Sequence, residues 1–233
     1  SFRRISGPLV SSRAATGLFS SARTACTLAN TYEGVTNCVK YAMEPYGIHL
    51  EGEEELRKFI GPPLRFSFTT YCGLSEEEAE KAIVRYRERY IPIGVYECEL
   101  FEGVRETIQA FKEAGYIQVI TSSKPEAQCR QVLEKFDLLT ELDEVVGASH
   151  DGRIDTKIEV LQEAFRRMKA QYADFSKEQT VLIGDTHYDA DGAKEGGIDC
   201  IGVGYGFGGA EEMWNAGAVV VYEDQKALRE ALV

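Results

Sequence analysis

The 233-residue sequence predicts an α/β protein, a doubly wound parallel sheet with an inserted α-helical cap. Three observations point there. From about residue 101 onward, short apolar runs alternate with helix-period segments, which implies parallel strands joined by crossover helices on both faces of a sheet. Between residues 34 and about 95 that alternation is missing, and apolar positions recur only at helical spacing. The apolar run Val181-Leu182-Ile183 is followed at once by Gly184 and two aspartates four residues apart, Asp185 and Asp189. Such a run reads as a central strand, and ligands of open parallel sheets sit outside the carboxyl ends of the strands. The expected division is a core from residues 1–33 and 97–233 and a cap from residues 34–96.

Residues 1–32 give weak structural signals; Pro8-Leu9-Val10 and Gly17-Leu18-Phe19 are the two candidates for a short strand. From Gly34 to about Tyr46, Val35, Val39, Ala42 and Met43 share one helix face, and Gly47 stops the helix. A second helix over about 52–59 runs into the turn Gly61-Pro62-Pro63. Ser75-Glu-Glu-Glu78 is a capping box that opens a long helix with the stripe Ala79, Ala82, Ile83, Tyr86 and Tyr90. A helix over 104–114 ends at Gly115 and a strand over 116–121 follows. Next come a helix 125–136, a strand 143–148, a helix 155–170 and a strand 179–183. A helix 188–195 closed by Gly196-Gly197, a strand 199–203, a short helix 210–215, a strand 218–222 and a final helix complete the chain.

Composition bounds the partners. With 26 basic and 38 acidic residues the formal charge is -12, which disfavours a nucleic-acid backbone. No apolar run approaches the roughly 20 residues that span a bilayer. Six cysteines lie scattered without a C-x-x-C pair, as suits a reduced cytoplasmic protein better than a disulfide scaffold or zinc site. The charge is uneven, because residues 1–32 carry four arginines and no acid and are rich in Ser and Ala. That composition resembles an organelle transit peptide, here read as retained in the chain.

Three features fall at strand ends on one predicted edge. Thr121-Ser122-Ser123-Lys124-Pro125 supplies hydroxyls and backbone N–H groups at a helix start, a natural phosphate seat. The plainer reading is an N-cap followed by a proline-started helix. Lys157 lies in the first turn of helix 155–170, where a lysine is more often solvated than a ligand. Asp185 and Asp189 suit a hard cation such as magnesium; the plainer reading makes Asp185 a helix cap. His49, His150 and His187 show no ligand spacing, and only His187, inside the Asp185–Asp189 turn, is expected near the site.

Taken together, Glu33-Gly-Val-Thr-Asn37, Arg57-Lys-Phe-Ile-Gly-Pro-Pro63, Ser123-Lys-Pro-Glu126, Gly184-Asp185…Asp189 and Gly192-Ala-Lys-Glu195 resemble the haloacid dehalogenase (HAD) superfamily. The likeness covers about residues 33 to 230 and is closest to phosphoglycolate-phosphatase-like and 5′-nucleotidase-like members with a helical cap. It implies phosphomonoester hydrolysis through an aspartyl-phosphate, with magnesium offsetting the charge of the transferring group. By resemblance, Ser122 and Ser123 would bind the phosphoryl oxygens and Lys157 would neutralise them and the nucleophile. Asp185 would hold magnesium with Asp189 in support. Arg57, Gly61 and Pro62 would reach from the cap toward the leaving group of a small phosphorylated metabolite.

The chain departs from the family at its first motif, Asp-x-Asp-Gly-Thr-Leu. Thr27-Leu28 match the end of that motif, and the same register puts Arg23 at the nucleophile, Ala25 at the acid/base and Cys26 at the glycine. A shifted register puts Ser20 and Ala22 there instead. No register restores the acids, because the first Asp in the chain is Asp137. Losing a covalent nucleophile costs on the order of 10⁶ in rate, roughly 8 kcal/mol of barrier. Two expectations follow. Either the lineage is a phosphatase and residues 1 to about 26 are an aberrant leader, such as a frame-shifted stretch, or the chain is a pseudoenzyme that binds a phosphorylated ligand or protein partner. In the second case Arg23 would pair with Asp185, where magnesium would otherwise sit. A receiver-type signalling domain fits less well, since the helical block is foreign to it and no early strand ends in Asp.

Overall fold

A computed structural model describes residues 17–21, 25–149, 153–154 and 156–233, with side chains from Thr27 onward. The chain opens with β1 (Gly17–Ser21) and a single helical turn, α1 (Ala25–Leu28). Two short strands, β2 (Ala29–Asn30) and β3 (Glu99–Leu100), pair antiparallel. Between them run α2 (Tyr32–Met43), α3 (Glu53–Arg57), α4 (Leu64–Cys72) and α5 (Glu76–Tyr90). After β3 the chain alternates: α6 (Val104–Glu113), β4 (Ile117–Pro125), α7 (Glu126–Lys135), β5 (Glu144–Ala148), α8 (Lys157–Gln171) and β6 (Thr180–Gly184). It ends with α9 (His187–Gly196), β7 (Asp199–Val203), α10 (Gly209–Ala216), β8 (Val220–Tyr222) and α11 (Gln225–Leu232).

Among the described residues, the main sheet is parallel throughout in the order β5-β4-β1-β6-β7-β8. The first strand is therefore central, and the strand order reverses around it. Both faces are buried, as such a sheet requires. Ile117 and Val119 of β4 and Leu182 of β6 pack on Val160, Leu161 and Met168 of α8. The alternate residue Ile120 packs against Val104 and Ile108 of α6 and Leu133 of α7 on the opposite face.

The candidate Gly17-Leu18-Phe19 falls in the central strand, since Gly17–Ser21 pairs with β4 on one side and β6 on the other. Gly-Leu-Phe-Ser-Ser suffices because an interior parallel strand is held by its ladder bonds on both sides. The alternative candidate Pro8-Leu9-Val10 lies outside the described residues. β4 also runs past the expected end at residue 121, with a register irregularity between Ser122 and Pro125. The segment between the two short strands has its own apolar centre, including Val39, Met43, Phe59, Phe68 and Ala82. Within it α4, which follows Pro63, was not separated in the sequence reading from the general run of helices. The Ser75 capping box forms as expected, with Glu78 N–H donating to Ser75 Oγ and Ser75 N–H to Glu78 Oε2.

The chain leaves the helical layer through bonds that tie it to α7. Arg89 forms a two-pronged pair with Glu97 at 2.7 and 2.8 Å, and Lys135 Nζ donates to the carbonyls of Tyr96 and Cys98. Lys124 Nζ donates to Tyr90 Oη at 2.5 Å. Gly34 lets α2 close on this exit: an added Cβ would lie 2.0 Å from the Gly94 carbonyl oxygen, and Gly34 N–H donates to Glu97 O at 3.1 Å. Alanine is the better helix former by about 1 kcal/mol, but here the clash is with backbone. Gly34→Ala is expected to lower unfolding free energy by about 3 kcal/mol, read as a drop in urea midpoint. Ser75→Ala at the exposed capping box should cost only about 1 kcal/mol.

Candidate functional site

Strand register brings the candidate residues to one edge. Ser20 lies level with Ile120 on one side and Ile183 on the other, so Ser122 and Asp185 are level two residues further on. Neighbouring strands are about 4.8 Å apart, so these two positions flank the end of β1 with about 10 Å between them. Ser122 is fully buried and its Oγ accepts from Lys124 N–H at 3.0 Å, so the hydroxyl holds the turn into α7. Ser123 beside it is half-buried.

The two acids meet different surroundings. Asp189 is buried, and its Oδ1 lies 2.7 Å from Lys157 Nζ. Its Oδ2 accepts from the N–H groups of Asp185 and Thr186 and from the Thr186 hydroxyl, each at 3.1 Å. The helix cap is thus Thr186 with Asp189 as its third-residue partner, and the reading of Asp185 as the cap is corrected. Lys157 is placed by a capping box the sequence reading passed over, Thr156 with Glu159. It reaches Asp189 across Gly192, where a Cβ would sit 2.6 Å from Lys157 Cγ. Gly184 likewise admits Asp189, since a Cβ there would lie 2.3 Å from the Asp189 Cβ.

Asp185 is fully buried; Thr27 Oγ1 donates to its Oδ1 at 2.8 Å and Phe207 N–H to its Oδ2 at 2.9 Å. Burial first, then the Asp189 charge, pushes its carboxyl from the ordinary 3.8 up to about 6, against the bonds from Phe207 and Thr27 and the Lys157 charge. Thr27 and Phe207 were missed as site residues. Thr27 carried a signal, since Thr27-Leu28 matched the end of the family's first motif. Phe207 sits in the run Gly206-Phe207-Gly208-Gly209, where a Cβ on Gly206 would lie 2.3 Å from Asp185; the glycine density was the available clue.

The helical layer contributes less than expected. Gly61, at φ +122°, stands where a Cβ would be 3.8 Å from the Tyr188 ring, so the 57–63 loop does approach the sheet edge. Pro62 is half-buried beside it. Arg57 instead points its guanidinium at Glu53, 3.1 Å away on the exposed side of α3. His187 donates its backbone N–H to Glu212 Oε1 at 2.8 Å, and its Nδ1 lies 2.7 Å from the same oxygen. Arg23 lies outside the described residues, and Ala25 opens α1.

The chain matches the haloacid dehalogenase-like hydrolases over residues 26–203. It belongs to that family. Among similar proteins, a 5′-nucleotidase of Pseudomonas aeruginosa is 32% identical over 206 residues, covering 88% of this chain and 91% of that one. Tyrosine-protein kinase PtkA of Mycobacterium tuberculosis is 30% identical over 208 residues, 88% of this chain and 69% of the kinase. The crystal structure of a predicted phosphatase from Clostridium acetobutylicum superposes with a TM-score of 0.83 at 35% identity, covering 94% and 98% of the two chains. This haloacid dehalogenase-like chain therefore has a Rossmann-like core with a helical cap, and a phosphatase lineage.

The family implies magnesium, and the donors present here do not fit it. Magnesium demands near-octahedral oxygen ligation, yet among the described residues no group of three His, Cys, Asp or Glu side chains is placed to hold a metal. Both Asp185 oxygens accept bonds from the chain, and Asp189 is paired with the Lys157 ammonium and the Asp185–Thr186 turn.

Two outcomes follow for this member of the family. Lys157→Met should destabilise the fold by about 3–5 kcal/mol, because it leaves Asp189 charged and buried; adding Asp189→Asn should recover part of that loss in chemical denaturation. The Asp185 carboxyl is raised in the folded state, so the native protein binds the extra proton between pH 4 and 6 and stability falls as pH rises through that window. Relative to Asp185→Asn, the parent should lose on the order of 2 kcal/mol from pH 4 to pH 7, measured as the difference in unfolding free energy at each pH.

Proposed function

We propose that this chain holds the phosphoryl group of a small phosphorylated metabolite at the carboxyl edge of β1, β4 and β6, and that its hydrolysis is strongly impaired. The observation that supports the reading is the placement of Ser122 and Asp185 on either side of the end of β1, with Lys157 against Asp189 in the turn after β6, in a chain whose first aspartate is Asp137. The buried hydroxyl, the backbone N–H groups at the start of α7 and the Lys157 charge supply what a phosphoryl dianion needs. Covalent catalysis needs in addition an anionic oxygen that attacks phosphorus and an acid that protonates the leaving oxygen. Neither Ser20 and Ala22 nor Arg23 and Ala25 provides that pair, and Lys157 cannot, since a cation with no lone pair does not attack.

A second reading, a pseudoenzyme that binds a phosphorylated ligand or protein partner without turnover, draws on the way Lys157 and Asp189 neutralise one another without a cation. The two readings differ in what restoration does. The parent is expected to hydrolyse a generic aryl phosphate at a rate about 10⁶-fold below an Asp-x-Asp family member. Millimolar magnesium is expected to leave its melting temperature unchanged, because ligation of the native state would raise it by mass action. Introducing Arg23→Asp with Ala25→Asp, or Ser20→Asp with Ala22→Asp in the shifted register, should bring turnover and a magnesium-dependent rise in melting temperature. Inert products from both pairs would favour the pseudoenzyme; brisk turnover by the parent would overturn both readings.

A further inference from the structure

We infer that the β5 end of the sheet is closed to strand addition by a clasp of charged side chains from α7 and α8, which keeps a second copy of this chain from pairing there. The inference is independent of the phosphoryl reading. Among the described residues β5 is the outermost strand on its side and pairs only with β4. An outermost strand presents unpaired backbone groups, and a second copy related by a two-fold axis would lay its own β5 antiparallel against them. The run Val145-Val146-Gly147-Ala148 is apolar, uncharged and in part β-branched, the character that such pairing favours.

At Val145 the backbone is already taken. Its N–H donates to Glu144 Oε1 at 2.9 Å, and its carbonyl accepts from Arg130 Nη2 of α7 and from Arg167 Nη1 of α8, each at 3.3 Å. These helices lie on opposite faces of the sheet, so the two guanidiniums straddle the strand and meet at its edge. Carboxylates hold them there. Glu126 Oε1 accepts from Arg130 at 3.0 Å and its Oε2 lies 3.0 Å from Arg167, so one acid joins the two arms. Glu144 Oε1 also accepts from Arg130 at 3.2 Å, its Oε2 accepts from Gln171 at 3.1 Å, and Glu163 accepts from Arg167 Nε at 2.9 Å. An isolated surface ion pair contributes little. This is a connected set, however, and the side chains of Glu144 and Arg167 are only 15% and 25% exposed. A strand arriving here would have to displace both guanidiniums and strip Glu126 and Glu144 of their counter-ions, for a backbone bond that Val145 already has in another form.

Hydrogen exchange of the full chain reads the clasp directly. The Val145 amide should be protected although it lies on an edge strand, and Glu144→Ala should speed its exchange about tenfold, the scale of one bond to a charged acceptor. Sedimentation velocity reads the consequence. Arg130→Met with Arg167→Met, which keeps the aliphatic stems and removes the donors, should give a folded chain with a concentration-dependent association that the parent lacks. Adding Val145→Pro, which removes the N–H a pairing strand would use, should abolish that association. An unprotected Val145 amide in the parent, or one that Glu144→Ala leaves as slow as before, would overturn the clasp, and this arm decides alone where the arginine variant does not fold. A folded double variant that sediments as the parent does, or an association that survives Val145→Pro, would overturn it equally.

Discussion

The constraint on which the rest depends is the burial of the Asp189 carboxylate at the tip of the central sheet. Taking an ion out of water costs several kcal/mol, and the cost is offset only when a counter-ion and hydrogen bonds meet nearly every lone pair. Here an ammonium at 2.7 Å and three donors at 3.1 Å do so. That demand propagates outward. It fixes the end of α8, because Lys157 must start that helix, and the Thr156–Glu159 capping box makes it start there. It also fixes glycine at 184 and 192, where any side chain would occupy the space of Asp189 or Lys157.

Asp185, four residues away, illustrates the opposite outcome from almost the same position. Two neutral donors meet its oxygens, and the Lys157 charge that steadies Asp189 lowers the Asp185 pKa less than burial and the second carboxylate raise it. One carboxyl is thus balanced by an ammonium, while the other holds its proton to a higher pH than an ordinary carboxyl does. The loop from Gly204 to Gly209 closes over Asp185 to supply the Phe207 N–H, and Gly208 N–H in turn donates to the Asp185 carbonyl at 3.1 Å. The turn between β6 and α9 is therefore held from both ends of the sequence, by Thr27 near the start and Phe207 near the end.

Much of the alternating half was legible because its signals are local. Strand 199–203 coincides with the observed Asp199–Val203, and the other elements after residue 101 fall within a few residues of their expected places, since apolar period, glycine stops and proline starts act over a handful of residues. Central β1 was only one of two weak candidates. A five-residue strand with a glycine and two serines has little intrinsic preference, and it is tertiary pairing on both sides that makes it a strand. The site was legible as a set of residue types but not as a network. The lysine partner of Asp189 is 32 positions away in sequence, and the Thr27 bond to Asp185 spans 158. The reciprocal acid of the Thr186 cap is Asp, not the Glu of the signature that marked Ser75.

The same bonds explain how the remaining motifs can stand without the chemistry they usually serve. Lys157 balances Asp189, Ser122 secures the Lys124 turn, and Asp185 anchors Thr27 and the 204–209 loop. Each side chain therefore has a structural duty inside the folded chain, and removing it would cost stability whether or not phosphorus is ever attacked there. Strand β1 differs in kind, since its pairing with β4 and β6 is made by backbone. Loss of Lys157 or of Asp189 would unbalance a buried charge. Family membership in this chain is consequently legible in Ser122, Lys157, Asp185 and Asp189, each of which the fold itself uses.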